Sequence, residues 1–509
     1  MTQAANGSDT APPLALAWVC ILAAAWILPG LIGHDPWKPD EAYTFGVVYS
    51  MLTGGDWVIP MLAHEPFVEA PPLFYWSAAG IAWLLAPLLP LHDAARVLSG
   101  IYMALTFVFI AGAARELYGV TRGWVAVLML MSCLGILIRS HQLITDISLL
   151  TGFAAAFYGL ALALRRPALG GLWLGIGIGV GFLSKGILAP AVLGIIVVLL
   201  PLFPAWRNRG YLICFTVAVI ACLPWLVLWP LALYSKSPAL FNEWLWAHNF
   251  SRFTGSQGLA RIAGGGEYLR ILPWYALPVL PLAAWVLWRT RFKGWLAPQV
   301  ALPLTGFFVI LIVLSVSADV RERYALPMLL PLALLATPAT DTLRRGAANL
   351  MYWFSVMGGA FVVIVAWFYW NALELGMPPR LHLHLHTLNP GYTPGFKWMS
   401  FTLGALYTAG WIVLLLKLKQ SRERPVIAWA ATVTMIWGLL AILFVGWLDP
   451  GKSYRSMIAD MQKALPAKYQ CIASQNLDES ILPPLRHLLL ERSCRRLARR
   501  LRTHGHHLP

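Results

Sequence analysis

The chain has 509 residues, of which 59% are hydrophobic and 12% are charged, and its mean hydropathy is +0.66. A soluble domain carries roughly 25% charged residues, so this composition excludes a soluble globular enzyme and also a disordered chain. The net charge of +16 could suit nucleic acid, but many basic residues stand in short clusters between apolar runs, as topology signals do. The sequence therefore predicts a polytopic membrane protein that does not bind nucleic acid.

Apolar runs of roughly 17–22 residues, the length at which a helix crosses a bilayer, recur along most of the chain. They follow a polar stretch at 1–13, which we expect in the cytoplasm, and they fill a membrane domain at 14–448. This pattern predicts an all-α bundle of about 13 transmembrane helices. The runs lie at 14–32, 73–91, 97–114, 123–138, 147–164, 168–184, 187–203, 211–233, 271–288, 298–317, 325–340, 350–370, 399–416 and 426–448.

Basic clusters between these runs predict which connections face the cytoplasm, because Lys and Arg are retained on that side. The basic connections are 115–122, 165–166, 207–209, 289–293, 344–345 and 417–424. For this scheme to hold, the run at 73–91, which contains Pro87 and Pro90, must be re-entrant or interfacial. The larger polar pieces then all share the outer face. They are the first loop at 33–72, the loops at 234–270 and 371–398, and the C-terminal region 449–509.

The C-terminal region is expected to form a small extracytoplasmic tail domain. Its two cysteines, Cys471 and Cys494, could pair if that side is oxidising. Elsewhere, His382, His384 and His386 alternate with period two, which predicts one face of an exposed strand. A metal site or a pH-sensitive surface there are the alternatives. The glycines between 170 and 181 favour close helix packing over a phosphate loop.

Acidic residues stand out in the first loop. Asp40 and Glu41 are adjacent there, and Glu69 lies near the end of the loop. Carboxylates near a membrane are costly to desolvate and neighbouring ones repel each other, so this pair is a candidate general base or cation ligand. The same dipeptide also suits a helix N-terminus, where Asp caps the helix and Glu favours the first turn.

Several motifs follow one another in the order of a known family. The first loop contains Asp-Glu-Ala from residue 40, Met-Leu-Thr-Gly-Gly-Asp-Trp-Val-Ile-Pro from residue 51 and Phe-Val-Glu-Ala-Pro-Pro-Leu-Phe-Tyr-Trp from residue 67. Downstream lie Arg139-Ser-His141 with Thr145-Asp146, Phe182-Leu-Ser-Lys185-Gly, Trp246-Ala-His248-Asn-Phe-Ser-Arg252-Phe, Pro273-Trp-Tyr275 and Arg321-Glu-Arg323-Tyr324-Ala-Leu-Pro. Together they resemble the bacterial lipid A aminoarabinose transferases, which are related to the protein O-mannosyltransferases of the GT-C superfamily.

This resemblance implies a GT-C bundle in the inner membrane with its active site facing the periplasm. The expected reaction moves a sugar from an undecaprenyl phosphate donor to lipid A or another envelope glycolipid by inverting displacement. A protein O-mannosyltransferase-like enzyme with a protein acceptor is one alternative. A lipid-linked sugar transporter without catalysis is another. A transporter exposes its site alternately to both faces, whereas the polar groups here are confined to one.

The resemblance also implies roles for single residues. Asp40, with Glu41 beside it, would be the catalytic carboxylate that handles the acceptor. Lys185, Arg252 and Tyr324 would hold the lipid phosphate, since a departing anion in a low-dielectric pocket is stabilised by cations and hydrogen-bond donors. The alternatives are a Lys185 that snorkels to water, a solvated Arg252 and an interfacial Tyr324.

Further residues are expected at the cavity and at a metal. The cavity would be lined by Glu69, His141, Asp146 and Arg323. Glu69 and His248 match family positions associated with a divalent metal, zinc or another, but hydrogen-bonded structural roles would explain them equally. The family typically carries a lysine directly after this glutamate, and here that position is Ala70. The sequence therefore leaves both the sugar and the acceptor open.

Overall fold

The computed structural model describes residues 13–63, 65–251, 266–317 and 320–465. In these ranges the regular secondary structure is helical, apart from one antiparallel pair of two-residue strands, β1 Met61–Leu62 and β2 Glu65–Pro66. The predicted all-α class is therefore confirmed for the described residues.

The α-helices, in chain order, are α1 Pro13–Ile27, α2 Asp40–Leu52, α3 Leu73–Leu85, α4 Leu91–Tyr118, α5 Gly123–Ser132, α6 Leu134–Leu137, α7 Asp146–Leu162, α8 Pro167–Lys185, α9 Leu188–Leu199, α10 Arg209–Lys236, α11 Pro238–Asn242, α12 Glu267–Tyr275, α13 Val279–Gly294, α14 Pro298–Val316, α15 Leu329–Ala336, α16 Ala339–Thr342, α17 Arg345–Leu375, α18 Pro379–Leu388, α19 Trp398–Lys417, α20 Arg424–Leu443, α21 Val445–Lys452 and α22 Arg455–Ala464. Short 3-10 turns lie at Val120–Arg122, Arg139–His141, Leu200–Leu202, Pro204–Trp206 and Glu322–Met328, and a π-helical stretch runs over Glu243–Ser251.

Seven helices within the described ranges are long and apolar enough to span a membrane, namely α4, α8, α10, α14, α17, α19 and α20. Two bent pairs raise the number to nine: Val120–Ser132 with Leu134–His141, bent by 79°, and Glu267–Tyr275 with Val279–Arg291, bent by 96°. The molecule is thus a multi-pass membrane protein. A helix rises about 1.5 Å per residue, so α3, with 13 residues, falls short of a bilayer core of about 30 Å. The count of about 13 spans stays a prediction.

The centre of the bundle is α7, which packs against α4 and α8 and is buried along almost its whole length. Small residues allow α7 and α8 to approach closely: a Cβ added at Gly152 would lie 2.8 Å from the carbonyl oxygen of Gly177. A Cβ at Gly159 would lie 2.6 Å from the carbonyl oxygen of Gly170. The predicted packing role of these glycines is therefore confirmed.

Ion pairs tie the predicted cytoplasmic connections together at one end of the bundle. The Nη2 atom of Arg122 lies 2.7 Å from Oδ1 of Asp341, and its Nη1 lies 3.7 Å from Oε1 of Glu423. Arg165 pairs with Glu116 at 3.8 Å. Connections that are far apart in the sequence thus meet at one end, as the topology scheme requires.

The predicted outer pieces meet one another in the same way. The amide of Lys38 donates to the carbonyl oxygen of Lys452 at 2.9 Å, and the side-chain amide of Asn389 donates to the carbonyl oxygen of Trp447. The first loop, the 371–398 loop and the start of the C-terminal region are therefore neighbours. Which side of the membrane this end faces stays a prediction.

The histidine-rich segment corrects one prediction. It forms α18, a helix, where the alternation indicated a strand. Pro379 occupies the first turn, where a proline favours a helix start. Residues four apart share a helix face, so the rings of His382 and His386 approach to 6.4 Å between centroids while His384 points elsewhere. Cys471 and Cys494 lie outside the described residues, as does most of the predicted tail domain.

Candidate active site

Asp40 is the first residue of α2, near the start of the first loop. Its Oδ1 atom contacts the guanidinium of Arg323 and accepts a hydrogen bond from the Tyr43 hydroxyl at 3.1 Å. Burial favours the protonated form, but Arg323, Tyr43 and Lys185 outweigh it, so the pKa of Asp40 lies below its usual value. Asp40 is therefore an ionised carboxylate at neutral pH.

Arg323 connects Asp40 to a second carboxylate. It lies in the 3-10 turn before α15, and its Nε atom is 3.8 Å from Oδ2 of Asp146, the first residue of α7. The same Oδ2 atom is 3.2 Å from Nζ of Lys185. Asp40, Arg323, Asp146 and Lys185 thus form one row of alternating charges, and the Arg323 and Asp146 side chains are only 6% and 2% exposed. Such a row holds each ionised side chain in one position, since each charge needs its neighbour when water is excluded.

Lys185 is placed by the end of α8. Gly186 stops the helix with a φ of +69°, and a Cβ there would lie 2.2 Å from Oδ1 of Asn249. That Oδ1 atom accepts a hydrogen bond from the Ile187 amide at 3.0 Å, which joins the π-helical stretch to the helix end. Nζ of Lys185 lies 5.5 Å from the centre of the Tyr324 ring, within reach of a cation–π interaction.

A cavity of about 340 Å³ opens beside this row. Its polar lining consists mainly of Tyr43, Glu69, Tyr75, Lys185, His248, Asn249 and Tyr324. Its apolar lining, from α9 and α14, includes Leu188, Ala191, Ile195, Val313 and Leu314. A cavity that is lined by a cation and by an apolar wall suits an amphipathic anion such as a lipid phosphate.

The two residues of the predicted metal site both line this cavity, but they do not complete a site. Nε2 of His248 lies 3.7 Å from Oε1 of Glu243, a residue of its own helical stretch. Within the ranges that the structure describes, no group of three or more His, Cys, Asp or Glu could hold a metal ion. Two ligands are fewer than a zinc site takes from a protein, so Glu69 and His248 as metal ligands stay a prediction.

Glu41 and His141 lie outside the cavity, where the sequence predicted a catalytic and a cavity-lining role. Glu41 is fully buried, and its Oε1 atom is 2.9 Å from Nε of Arg96 on α4. His141 is stacked on Trp437 at 4.4 Å between ring centroids, and its Nε2 atom lies 2.8 Å from the Trp26 carbonyl oxygen. The structure gives both residues a role in packing and loop support. Arg252 lies outside the described residues.

Two arginines to which the sequence analysis gave no role, Arg139 of the Arg139-Ser-His141 motif and Arg96, belong to the candidate site or its support. Arg139 has Nη1 4.0 Å from Oδ2 of Asp40 and Nη2 3.6 Å from Oε2 of Glu322, so it is a second cation beside the carboxylate. Arg96 holds Glu41 and pairs with Asp93 at 2.7 Å. Arg96 directly precedes the apolar run at 97–114, and a charged residue at the edge of a spanning segment was the signal that could have identified it.

The fold is similar to that of two solved structures of one enzyme. ArnT from Cupriavidus metallidurans bound to undecaprenyl phosphate superposes with a TM-score of 0.70 at 18% identity, over 94% of this chain and 85% of that one. The apo structure of the same protein gives a TM-score of 0.67 at 19% identity, over 93% and 85%. The chain therefore has the fold of this membrane protein, with a row of alternating charges beside an apolar cavity.

The sequence is also similar to known proteins. A family model described as dolichyl-phosphate-mannose-protein mannosyltransferase matches residues 69–229. The undecaprenyl phosphate-alpha-4-amino-4-deoxy-L-arabinose arabinosyl transferase of Serratia proteamaculans (strain 568) is 27% identical over 452 residues, 85% of this chain and 76% of the relative. The protein of the same name from Pseudomonas aeruginosa (strain UCBPP-PA14) is 29% identical over 454 residues, 84% and 75%. The resemblance inferred from the motifs is confirmed.

Proposed function

We propose that this enzyme transfers a sugar from undecaprenyl phosphate to lipid A or another envelope glycolipid at the periplasmic face of the inner membrane. The observation that carries the proposal is the row Asp40–Arg323–Asp146–Lys185 beside an apolar cavity. The relatives' names supply the donor class, since those proteins are undecaprenyl phosphate-linked sugar transferases. The proposal includes a bundle of about 13 spans, with the first loop and the tail region on the periplasmic side.

The donor phosphate is expected to bind at Lys185. The ammonium group has three donors and shares its charge with Asp146 at 3.2 Å, so it can hold a phosphate oxygen without leaving Asp146 unpaired. Tyr324 lies beside it on the cavity wall, and Arg252 is expected to add a further donor. The polyprenyl chain would lie against the apolar wall from α9 and α14. These contacts stabilise the negative charge that grows on the phosphate as it leaves.

Asp40 handles the acceptor. The acceptor oxygen forms a bond to the anomeric carbon while the bond from that carbon to the phosphate oxygen breaks, which inverts the configuration. If the acceptor is a hydroxyl, its proton passes to Asp40; if it is an ionised phosphate, Asp40 orients it. A carboxylate with a lowered pKa is a weak base, so exact placement matters more than basicity.

Ala70 bears on which sugar is used. Its side chain is 5% exposed and lines the cavity next to Glu69. The family's lysine is thus replaced by a neutral methyl group on the cavity wall itself. We therefore propose the donor class and leave the sugar to be identified by the experiment.

A second acceptor class has one specific observation in its favour. The family model that matches residues 69–229 is described by protein mannosylation. Protein hydroxyl groups are therefore the second candidate acceptors, with the same donor site and the same role for Asp40.

The test is mass spectrometry of envelope lipids from a deletion strain complemented with wild type, Asp40→Asn or Asp341→Asn. Asp341 pairs with Arg122 at the opposite end of the bundle and serves as the matched control. We expect a sugar-sized mass on lipid A with wild type and Asp341→Asn only. Unchanged lipids, with undecaprenyl phosphate-sugar accumulating in Asp40→Asn, would indicate the protein acceptor. Unchanged lipids without that accumulation would contradict the proposal.

A further inference from the structure

The segment 34–39 directly precedes Asp40 and is held from the side of the bundle. Nη2 of Arg96 donates to the carbonyl oxygens of His34 and Asp35 at 3.2 and 3.3 Å. Oε2 of Glu41 accepts from the Trp37 amide at 3.0 Å. Arg96 and Glu41 are themselves an ion pair. One side of the segment is thus fixed to α4 through buried charges.

The other side of the same segment is held by residues 449–455, which we call the tail clamp. Oδ1 of Asp449 accepts from the Asp35 amide at 3.0 Å and from Nε1 of Trp37 at 3.1 Å. The Lys452 carbonyl oxygen accepts from the Lys38 amide at 2.9 Å. The Arg455 guanidinium pairs with the Asp35 carboxylate. Backbone and side-chain groups of the segment are thus satisfied by the C-terminal region.

The local sequence does not fix the start of α2 by itself. Pro39 occupies the N-cap position and makes no side-chain cap hydrogen bond. His34 and Asp35 are buried, so without the clamp the Asp35 amide would lose its partner away from water. The direction in which the chain enters α2, and with it the position of Asp40, depends on contacts from outside the segment.

We propose that the tail clamp holds Asp40 in place against Arg323, and that Asp449 and Arg455 are positioning residues for glycosyl transfer. The inference rests on the proposed function for its kinetic consequence. A displacement of about 1 Å at a reacting group can cost on the order of 100-fold in rate. A clamp that sets the entry to α2 therefore acts on turnover although none of its residues reaches the cavity.

Two neighbouring carboxylates, Asp35 and Asp449, repel each other, which is unfavourable if the contact only anchors the tail. Burial and the neighbouring Asp35 carboxylate raise the pKa of Asp449, so the protein holds two acidic groups close together. Arg455 offsets this by pairing with Asp35, and its side chain is 74% exposed. Anchoring the tail requires no second carboxylate at this place, whereas the single Oδ1 atom of Asp449 accepts from both the Asp35 amide and the Trp37 indole and so fixes the segment in two places.

The test compares purified full-length wild type, Asp449→Ala, Asp449→Asn and Asp341→Ala with undecaprenyl phosphate-sugar and lipid A. We expect Asp449→Ala to lower kcat about tenfold or more while KM for the donor changes less than about twofold, since Lys185 is untouched. Asp449→Asn should recover most of the rate because its amide oxygen can accept both hydrogen bonds. Asp341→Ala should behave as wild type.

Two further readouts follow the effect of the clamp on Asp40 and on the segment. The acidic limb of kcat/KM should move to higher pH in Asp449→Ala, because Arg323, Arg139, Lys185 and Tyr43 face Asp40 and displacement weakens their hold on its charge. Hydrogen exchange at the Asp35 and Lys38 amides should also rise. If the clamp only anchors the tail, hydrogen exchange still rises because the Asp35 amide loses its acceptor, but the acidic limb of kcat/KM stays in place.

The outcomes are distinct. Wild-type transfer with an unchanged kcat in Asp449→Ala overturns the inference, and so does an equal loss in Asp449→Asn with an unmoved acidic limb. If Asp449→Ala does not fold, Arg455→Ala and Arg455→Lys replace it, since that side chain is largely exposed. Arg455→Ala should then lower kcat and Arg455→Lys should restore part of it. If wild type makes no product, the proposed function fails, and hydrogen exchange still tests the clamp.

Discussion

Two ion-pair networks lie at opposite ends of the bundle. They consist of the same kinds of residue but differ in their surroundings. In the first, Arg323 joins Asp40 to Asp146 with its side chain 6% exposed. In the second, Arg122 joins Asp341 to Glu423 with side chains 24–31% exposed. An exposed pair contributes about 0–1 kcal/mol, whereas breaking a buried pair costs about 3–5 kcal/mol. The two networks therefore differ in burial and not in residue type: the buried one lies at the candidate site, and the exposed one connects loops.

The largest effect in the buried network is expected at Asp40. Asp40→Asn should lower turnover by about 10²–10⁴-fold, the range of a lost acid–base group, since the acceptor loses its carboxylate. Binding of undecaprenyl phosphate should stay within about threefold of wild type, because Lys185 and Tyr324 remain. Turnover is measured by mass spectrometry of the product and binding by isothermal calorimetry. Equal losses in turnover and binding would argue against a dedicated role for Asp40.

The second largest loss of activity is expected at Lys185. Lys185→Met should lower kcat/KM by about 100-fold, the size of a lost donor to a developing anion. Undecaprenyl phosphate should also bind more weakly, which separates this variant from Asp40→Asn. The control is Lys236→Met, which breaks an exposed pair with Asp56 and should change neither quantity. Unchanged lipid phosphate binding in Lys185→Met would remove Lys185 from the donor site.

A smaller change, at the neighbour Tyr43, tests how its surroundings set the charge of Asp40. Tyr43→Phe removes the hydrogen bond to Oδ1 of Asp40, which helps hold the pKa of that carboxyl down. The pKa should rise, so Asp40 becomes protonated at a higher pH and the acidic limb of kcat/KM moves upward. Turnover at neutral pH should fall only a few-fold. A limb that stays in place would show that another group controls it.

The smallest effect is expected at the opposite end of the molecule. Asp341→Ala should lower the free energy of unfolding by about 0–1 kcal/mol, because the pair is partly exposed and Arg122 is still solvated without it. Turnover should be unchanged. Thermal unfolding in high and low salt measures this, with the difference shrinking as salt screens the pair. A loss of activity would mean that the two ends are coupled and would break the comparison.

Much of the fold followed from local patterns. The apolar runs at 168–184 and 211–233 lie within α8 and α10, because the hydropathy of a spanning helix is carried by its own residues. The motifs also singled out Asp40, Asp146, Lys185 and Arg323, which the structure brings together. The pairing of Glu41 with Arg96 did not follow, since it arises only when α2 and α4 meet.

The histidine segment shows how a local pattern misleads. Alternation of Leu and His over 381–386 suits a strand, but leucine is also a good helix former, and Pro379 lies in the first turn of α18. Contacts with the rest of the fold decided between the two. The Nδ1 atom of His382 lies 2.9 Å from the Ala372 carbonyl oxygen at the end of α17.

By itself the sequence determined that this is a helical membrane protein and which few charged residues interrupt its apolar runs. It did not decide which of two adjacent carboxylates faces the cavity. Successive side chains on a helix are turned by about 100°, so Asp40 and Glu41 must point to different surroundings. Glu41 pairs with Arg96 of α4 inside the bundle, and Asp40 pairs with Arg323, just before α15, beside the cavity. That choice was made by tertiary packing, because only the positions of distant helices decide where each buried charge finds its partner.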